Sequence, residues 1–232
     1  MNSRRLEENW RSVNRRIAEA EARAGRPAGS ARLVAVTKRR PAEWVRALIA
    51  LGATDIGENY PQELWEKAAA VADTGVRVHL IGRLQRNKAK RTAPLTCRIH
   101  GVDSLELLET LDDLSSRMTD PPRICLQLNL SGEESKQGWS EEELAADGEA
   151  IAGLKFARVD GLMTMAALGT DSETARPTFA ALREARDRLE VRLGRALPEL
   201  SMGMSGDFEA AVEEGATLVR VGSALFEGVD ES

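Results

Sequence analysis

Arg32-Leu33-Val34-Ala35-Val36-Thr37-Lys38 is the stretch on which the fold turns. It is an apolar run that reads as a buried strand and stops on a lysine. Parallel α/β folds keep their chemistry where strands end. An amine held there can lose its proton and attack a carbonyl, which is how a Schiff base forms. Taken alone, the run supports a plainer reading, in which the strand ends at Val36 and Lys38 is a solvated loop lysine.

Working outward, similar runs recur at 54–57, 77–81, 98–102, 124–130, 157–163, 200–204 and 218–221. Helical patterns lie between them. Residues 3–24 form one amphipathic helix, with Leu6, Trp10, Val13, Ile17, Ala20 and Ala24 at helical spacing and Gly25, Pro27 and Gly29 as its stop. Pro41 opens a helix that Gly52 closes, Ser104 caps another running to Met118, and Ser140-Glu-Glu-Glu is a capping box. In the long pattern at 171–193, Pro177 places the helix start a few residues in, and Asp207 caps a helix that ends at Gly215. Strict alternation implies parallel strands with right-handed crossovers. About eight strand–helix units favour a single (β/α)8 TIM barrel with an extra N-terminal helix, with an open doubly wound sheet as the alternative. No Pro-, Gly- or Ser-rich linker divides the chain, so residues 1–232 are read as one domain.

The chain has 232 residues, 42% of them hydrophobic and 30% charged, and a net charge of -5. That balance argues against nucleic acid as a partner. No apolar stretch is long enough to span a bilayer and no signal-peptide core opens the chain, so a cytoplasmic protein without a membrane partner is expected. Cys97 and Cys125 read as buried free thiols. His79 and His100 match no metal-ligand spacing. The charged outer faces of the helices favour a monomer.

In a barrel the loops after the strands build the site. Two of them stand out. Ser205 and Gly206 precede a helix start, and Gly222 and Ser223 follow the last strand-like run. Barrels commonly bind phosphate at the loops after strands seven and eight, where small residues let it approach the backbone. Each loop alone reads better as a capped turn or a strand end; the pair points to phosphate. A phosphate cradle together with a strand-one lysine points to pyridoxal 5'-phosphate (PLP). Arg220 shares its strand face with Gly222 and would meet the PLP ring nitrogen, or else form a salt bridge at the rim. Because arginine cannot give up a proton, it would keep that nitrogen unprotonated and weaken the electron sink. Arg39, Arg83, Arg86 and Lys88 crowd the mouth and read as a solvated rim, with steering of an anion as a secondary effect.

Motifs occur in order along the chain: Ala35-Val-Thr-Lys38, Gly57-Glu-Asn-Tyr-Pro-Gln-Glu63, His79-Leu-Ile-Gly-Arg-Leu-Gln-Arg-Asn-Lys88, Ser135-Lys-Gln-Gly138, Gly161-Leu-Met-Thr-Met165, Leu200-Ser-Met-Gly-Met-Ser205 and Val219-Arg-Val-Gly-Ser223. From about residue 30 onward the chain resembles the YggS/PROSC-type PLP homeostasis proteins. The resemblance implies a fold like the N-terminal barrel of alanine racemase, with PLP carried as a Schiff base on Lys38. It implies that Ser205, Gly222 and Ser223 hold the phosphate, that Arg220 faces the ring nitrogen, that Asn59 lies beside the cofactor and that Met204 lines its pocket. It assigns no role to His79 or Lys136. The family often has threonine at Ser223 and prolines at Ala166-Ala167. The first change keeps a hydroxyl; the second alters the sixth loop.

The family is described as buffering or delivering PLP without turnover, with PLP-dependent apoenzymes as possible recipients. A two-base racemase needs a second proton carrier opposite the lysine. Tyr60 is the only tyrosine. It reads as a helix-start packing residue before it reads as an acid or base. The chain has no room after the last strand for a racemase's second domain. The expected function is therefore a PLP carrier in vitamin B6 and amino-acid homeostasis. A monomeric PLP-dependent amino-acid racemase is the alternative, and a sugar-phosphate barrel enzyme without PLP is a third reading.

Overall fold

The computed structural model describes residues 2–130, 137–167, 169 and 171–229. Eight parallel strands follow one another around a closed barrel: β1 (Arg32–Val36), β2 (Asp55–Glu58), β3 (Arg77–Arg83), β4 (Arg98–Val102), β5 (Arg123–Gln127), β6 (Arg158–Met163), β7 (Glu199–Ser201) and β8 (Leu218–Val221). The register of β8 on β1, with Arg32 opposite Leu218 and Ala35 opposite Val221, closes the barrel and excludes the open sheet. Helices α1 (Ser3–Arg23), α2 (Ala42–Ala50), α3 (Pro61–Ala70), α4 (Arg86–Thr92), α5 (Leu105–Ser115), α6 (Glu141–Ala146), α7 (Gly148–Gly153), α8 (Ser172–Leu193), α9 (Phe208–Glu213) and α10 (Ser223–Phe226) surround it.

Several boundaries differ from the sequence reading. Helix α8 starts at Ser172 and carries Pro177 inside it. Asp171 caps the true start by accepting from Thr174 N at 2.9 Å, so the proline removes one early hydrogen bond without moving the helix. Strand β3 runs on past residue 81 to Arg83 and α4 begins at Arg86, so only Leu84 and Gln85 connect them. Strand β5 ends at Gln127, where Leu128 bridges to Trp139. Strand β7 ends at Ser201, two residues before Gly203 turns the chain at φ 92°. A Cβ at that glycine would lie 2.6 Å from Ala211 Cβ, so the turn demands glycine on two counts. Among the described residues, no helix is long and apolar enough to cross a membrane.

Alternation along the strands separates two environments. Outward residues such as Leu33, Ala35, Ile56, Leu80 and Ile99 join Leu48, Leu64, Leu108, Phe179 and Phe208 of the helices in one apolar jacket. The inward apolar residues form a separate, small cluster of Val34, Val36, Ile81 and Leu218. The lumen otherwise holds buried polar groups, among them Asp55, His79, Arg98, His100, Ser201 and Arg220. At the floor, where strands begin, arginines meet carboxylates: Arg32 with Glu199 at 2.5 Å, Arg77 with Asp55 at 2.5 Å, and Arg98 with both Asp160 and Glu199.

Helix α1 packs across the seam. Its buried Glu21 accepts from Ala31 N at 2.7 Å and Gly29 N at 3.0 Å, which fixes the turn into β1. Its buried Asn9 donates to the carbonyls of Leu225 at 3.0 Å and Glu227 at 2.9 Å, which ties it to the far end of the chain.

Candidate functional site

The C-terminal end of β1 is clamped from outside. Lys67 on α3 is buried, and its ammonium donates to the Thr37 carbonyl at 2.6 Å, Glu58 Oε1 at 2.7 Å and Glu63 Oε2 at 3.3 Å. All three ammonium protons are thereby used. Thr37 Oγ1 donates to the same Glu58 oxygen at 2.5 Å. Glu63 also accepts from Arg39 N at 2.7 Å, and Arg39 sits at φ 59°, a left-handed conformation that few non-glycine residues adopt. The peptide units on both sides of Lys38 are therefore fixed, while Lys38 itself is exposed. Its amine meets no acceptor among the described residues. Burial pushes the Glu58 carboxyl upward against the pull of Lys67 and Thr37, and its Oε2 has no partner.

The loops after β7 and β8 interlock. Ser205 Oγ accepts from Gly222 N at 3.2 Å and Ala224 N at 3.3 Å, so two backbone donors and one hydroxyl converge on a single point. A Cβ at position 222 would come within 3.1 Å of Val36 Cβ, which explains the glycine. Asp207 does not cap α9 with its side chain, contrary to the sequence reading. Its carboxylate turns back to accept from Met204 N at 2.5 Å and stitches the loop closed.

Arg220 enters from β8 and is only 4% exposed. It donates from one terminal nitrogen to Ser201 Oγ at 2.6 Å and from the other to the Thr164 carbonyl at 3.0 Å. Burial pulls its guanidinium down to about 10. Its hydrogen-bond partners are neutral, so the rim salt bridge considered from sequence does not form.

All seven residues singled out from sequence line one cavity of about 370 Å³ at the C-terminal mouth: Lys38, Asn59, Met204, Ser205, Arg220, Gly222 and Ser223. Gly206, read from sequence as part of the phosphate loop, also lines it, and sequence reasoning missed Val36, Ile81 and Met165, which complete the wall. Val36 and Ile81 carried a usable signal, since each lies at even spacing on the inward face of its strand. Asn59 is placed by Gly82, where a Cβ would lie 2.1 Å from the Asn59 carbonyl oxygen. Tyr60 is 46% exposed at the start of α3 and is not part of the lining. Ser135 and Lys136 lie outside the described residues. Arg83 forms a loose pair with Asp103 at 3.6 Å, and Arg40 stacks over Trp44 and Phe226. Cys97 and Cys125 are free thiols, pushed by burial up to about 12 and about 11.

A closed eight-stranded barrel with a lysine at the end of β1 and a donor-lined pocket at β7 and β8 is an alanine racemase-type barrel, and the family model for the alanine racemase N-terminal domain matches residues 1–229. The pyridoxal phosphate homeostasis protein of Pseudomonas aeruginosa is 42% identical over 221 residues, covering 95% of this chain and 94% of that one. This chain belongs to the family of pyridoxal phosphate homeostasis proteins. Among solved structures, an unknown protein from Bifidobacterium adolescentis superimposes with TM-score 0.88 at 37% identity, covering 97% of this chain and 96% of that one. PipY of Synechococcus elongatus with PLP bound superimposes with TM-score 0.81 at 37% identity, covering 90% and 99%.

Proposed function

We propose that this chain holds PLP as a Schiff base on Lys38 and serves PLP and amino-acid homeostasis as a carrier, without turnover of its own. The observation that supports this most is the convergence of Lys38, the Ser205–Gly222–Ala224 donor cluster and Arg220 around one cavity of about 370 Å³. That volume suits a small-molecule site, and the donor set matches the cofactor's chemistry. Hydroxyl and amide donors suit a phosphate, an amine suits an aldehyde, and a guanidinium suits a pyridine nitrogen that stays unprotonated.

When bound, PLP supplies an aldehyde carbon, onto which an amine forms a C=N bond with release of one water. The chain's own part is to hold Lys38 where that carbon arrives. The clamp from Lys67 and Glu63 fixes the backbone on both sides of Lys38, whose side chain is exposed. Ser205, Gly222 and Ser223 anchor the phosphate, and Arg220 orients the ring. Asn59, Met165 and Met204 shape the walls. The lysine lies exposed at the mouth, which suits a cofactor that must leave for PLP-dependent apoenzymes. Tyr60, the residue that could supply a second base, stands outside the lining, which favours a carrier over a racemase.

One absorbance spectrum of the purified protein with added PLP, before and after borohydride, tests this reading. Wild type should show the Schiff-base band and retain label at Lys38 after reduction; Lys38→Ala should do neither. Identical spectra for the two proteins overturn the lysine assignment. Racemisation of an amino acid above the free-PLP background, lost in Lys38→Ala, overturns the carrier reading.

A further inference from the structure

The barrel lumen contains a continuous chain of polar side chains that PLP capture by Lys38 leaves unused. Asp55 Oδ1 lies 2.8 Å from His79 Nε2, and His79 Nδ1 lies 2.9 Å from His100 Nε2. His100 Nδ1 lies 2.6 Å from Ser201 Oγ, which lies 2.6 Å from the Arg220 guanidinium. The chain crosses from β2 through β3, β4 and β7 to β8, from the barrel floor to the wall of the mouth cavity.

Its donor directions are consistent from the arginine end and forced from the carboxylate end. A guanidinium has only donors, so Ser201 Oγ accepts from Arg220 and is free to offer its own proton to His100 Nδ1. His100 Nδ1 is then an acceptor, its Nε2 carries the proton, and His79 Nδ1 accepts. His79 Nε2 therefore carries a proton and donates it to Asp55. Taken from the other end the assignment is the same. Burial alone raises the Asp55 carboxyl, yet hydrogen bonds from His79, Arg77 and Thr54 hold it far below the usual range, so it only accepts. Burial pulls both imidazoles down, so each is neutral with one N–H. Every hydrogen bond thus points from Arg220 toward Asp55.

We infer that Asp55, His79, His100 and Ser201 are positioning residues that fix Arg220 against the ring of the bound cofactor. The inference rests on the PLP reading above. A carboxylate in direct contact would neutralise Arg220 and weaken its field on the ring. Here Asp55 is four hydrogen bonds away and paired with Arg77, and Asp207, whose charge reaches Arg220, makes no hydrogen bond to it, so the guanidinium is anchored while its charge still faces the cavity. A cation so placed disfavours a second positive charge on the ring nitrogen.

The protein's only two histidines both belong to this chain of hydrogen bonds, so ¹⁵N NMR of the apo protein reads it without overlap. Both should appear as neutral Nε2–H tautomers; an Nδ1–H tautomer or a charged imidazole at neutral pH overturns the inference. Ser201→Ala and Ser201→Thr, loaded with PLP, supply the second arm, with circular dichroism confirming that each folds. In Ser201→Ala, borohydride should still fix PLP on Lys38. The Schiff-base band and its pH titration should shift, and PLP should leave on the order of tenfold faster, as expected for one lost hydrogen bond to a charged group. Ser201→Thr, which keeps the hydroxyl, should restore wild-type values. If Ser201→Ala matches wild type in band, titration and release, the inference falls and PLP binding stands. If wild type itself fixes no PLP, the cofactor reading falls and takes the role of Arg220 with it.

Discussion

The two sides of the β-sheet in this barrel are built on different principles. The outer side meets the helices through an apolar jacket that includes Leu33, Ile56, Leu80, Ile99, Phe179 and Phe208. The inner side has only Val34, Val36, Ile81 and Leu218 as its apolar cluster, and gives the rest of its space to arginines, carboxylates, histidines and serine. Barrel lumens are commonly filled by layers of branched aliphatic residues. In this chain hydrophobic burial is concentrated outside the sheet, and the inside is left to carry charge and direction. Fold and function are therefore separable by side of the strand, one residue apart in sequence.

Substitutions should respect that division. The largest effect belongs to Lys38→Ala, which should abolish the Schiff-base band and borohydride fixation altogether. Its denaturant midpoint should stay near wild type, because Lys38 is exposed. A large loss of stability in that variant would break the comparison. Lys67→Met tests the buried charged cluster that clamps the end of β1. Removing the ammonium leaves Glu58 buried beside its unpartnered oxygen, so urea unfolding should report a loss of about 3–5 kcal/mol. Phe179→Ala, fully buried in the jacket, should cost a comparable ~3–5 kcal/mol while the Schiff-base band of the folded protein stays in place.

The lumen should show itself through pH. His79 and His100 are held neutral below their ordinary value, so the unfolded chain binds more protons than the folded one as pH drops through about 6.5. Stability is therefore fully present above that pH and declines below it, with a slope of up to about 1.4 kcal/mol per pH unit for each histidine. The raised carboxyl of Glu58 opposes the decline at lower pH, because there the folded state takes the proton first. Replacing both histidines with glutamine should flatten the slope in urea titrations repeated between pH 7 and pH 5, a range bounded roughly by the free imidazole value. The smallest effect is expected for Ser205→Ala. It should speed PLP release several-fold, roughly one neutral hydrogen bond, and change stability by less than about 0.5 kcal/mol.

How much of this was legible beforehand follows the same division. The jacket writes itself into sequence as helical spacing and strand alternation, and those patterns place all eight strands to within a few residues. The mouth was legible because its parts are unusual: a lysine closing an apolar run, and paired small residues after the last two strands. Lys67 and Glu63 were not visible as a clamp, because a lysine and a glutamate at i,i+4 on a helix read as a solvated pair. Only the fold shows that Glu58 waits beneath them. Asp55, His79, His100 and Ser201 were invisible for another reason. Each is a single polar residue in a strand pattern, and they become neighbours only when the sheet closes. The boundary error at Pro177 and the misread cap at Asp207 each turn on one side-chain hydrogen bond, absent from any periodicity.

The tie between α1 and residues 225–227 also sets a timetable. Strand β1, which leads into Lys38, is synthesised well before β8, yet it pairs with β8, and α1 is anchored through Asn9 to carbonyls beyond it. The ring and its phosphate-type cradle cannot assemble until β8 and the residues just after it have left the ribosome, since both depend on contacts between distant segments. A nascent chain thus exposes its reactive amine long before it can grip a phosphate. Commitment to the aldehyde is deferred to the finished molecule.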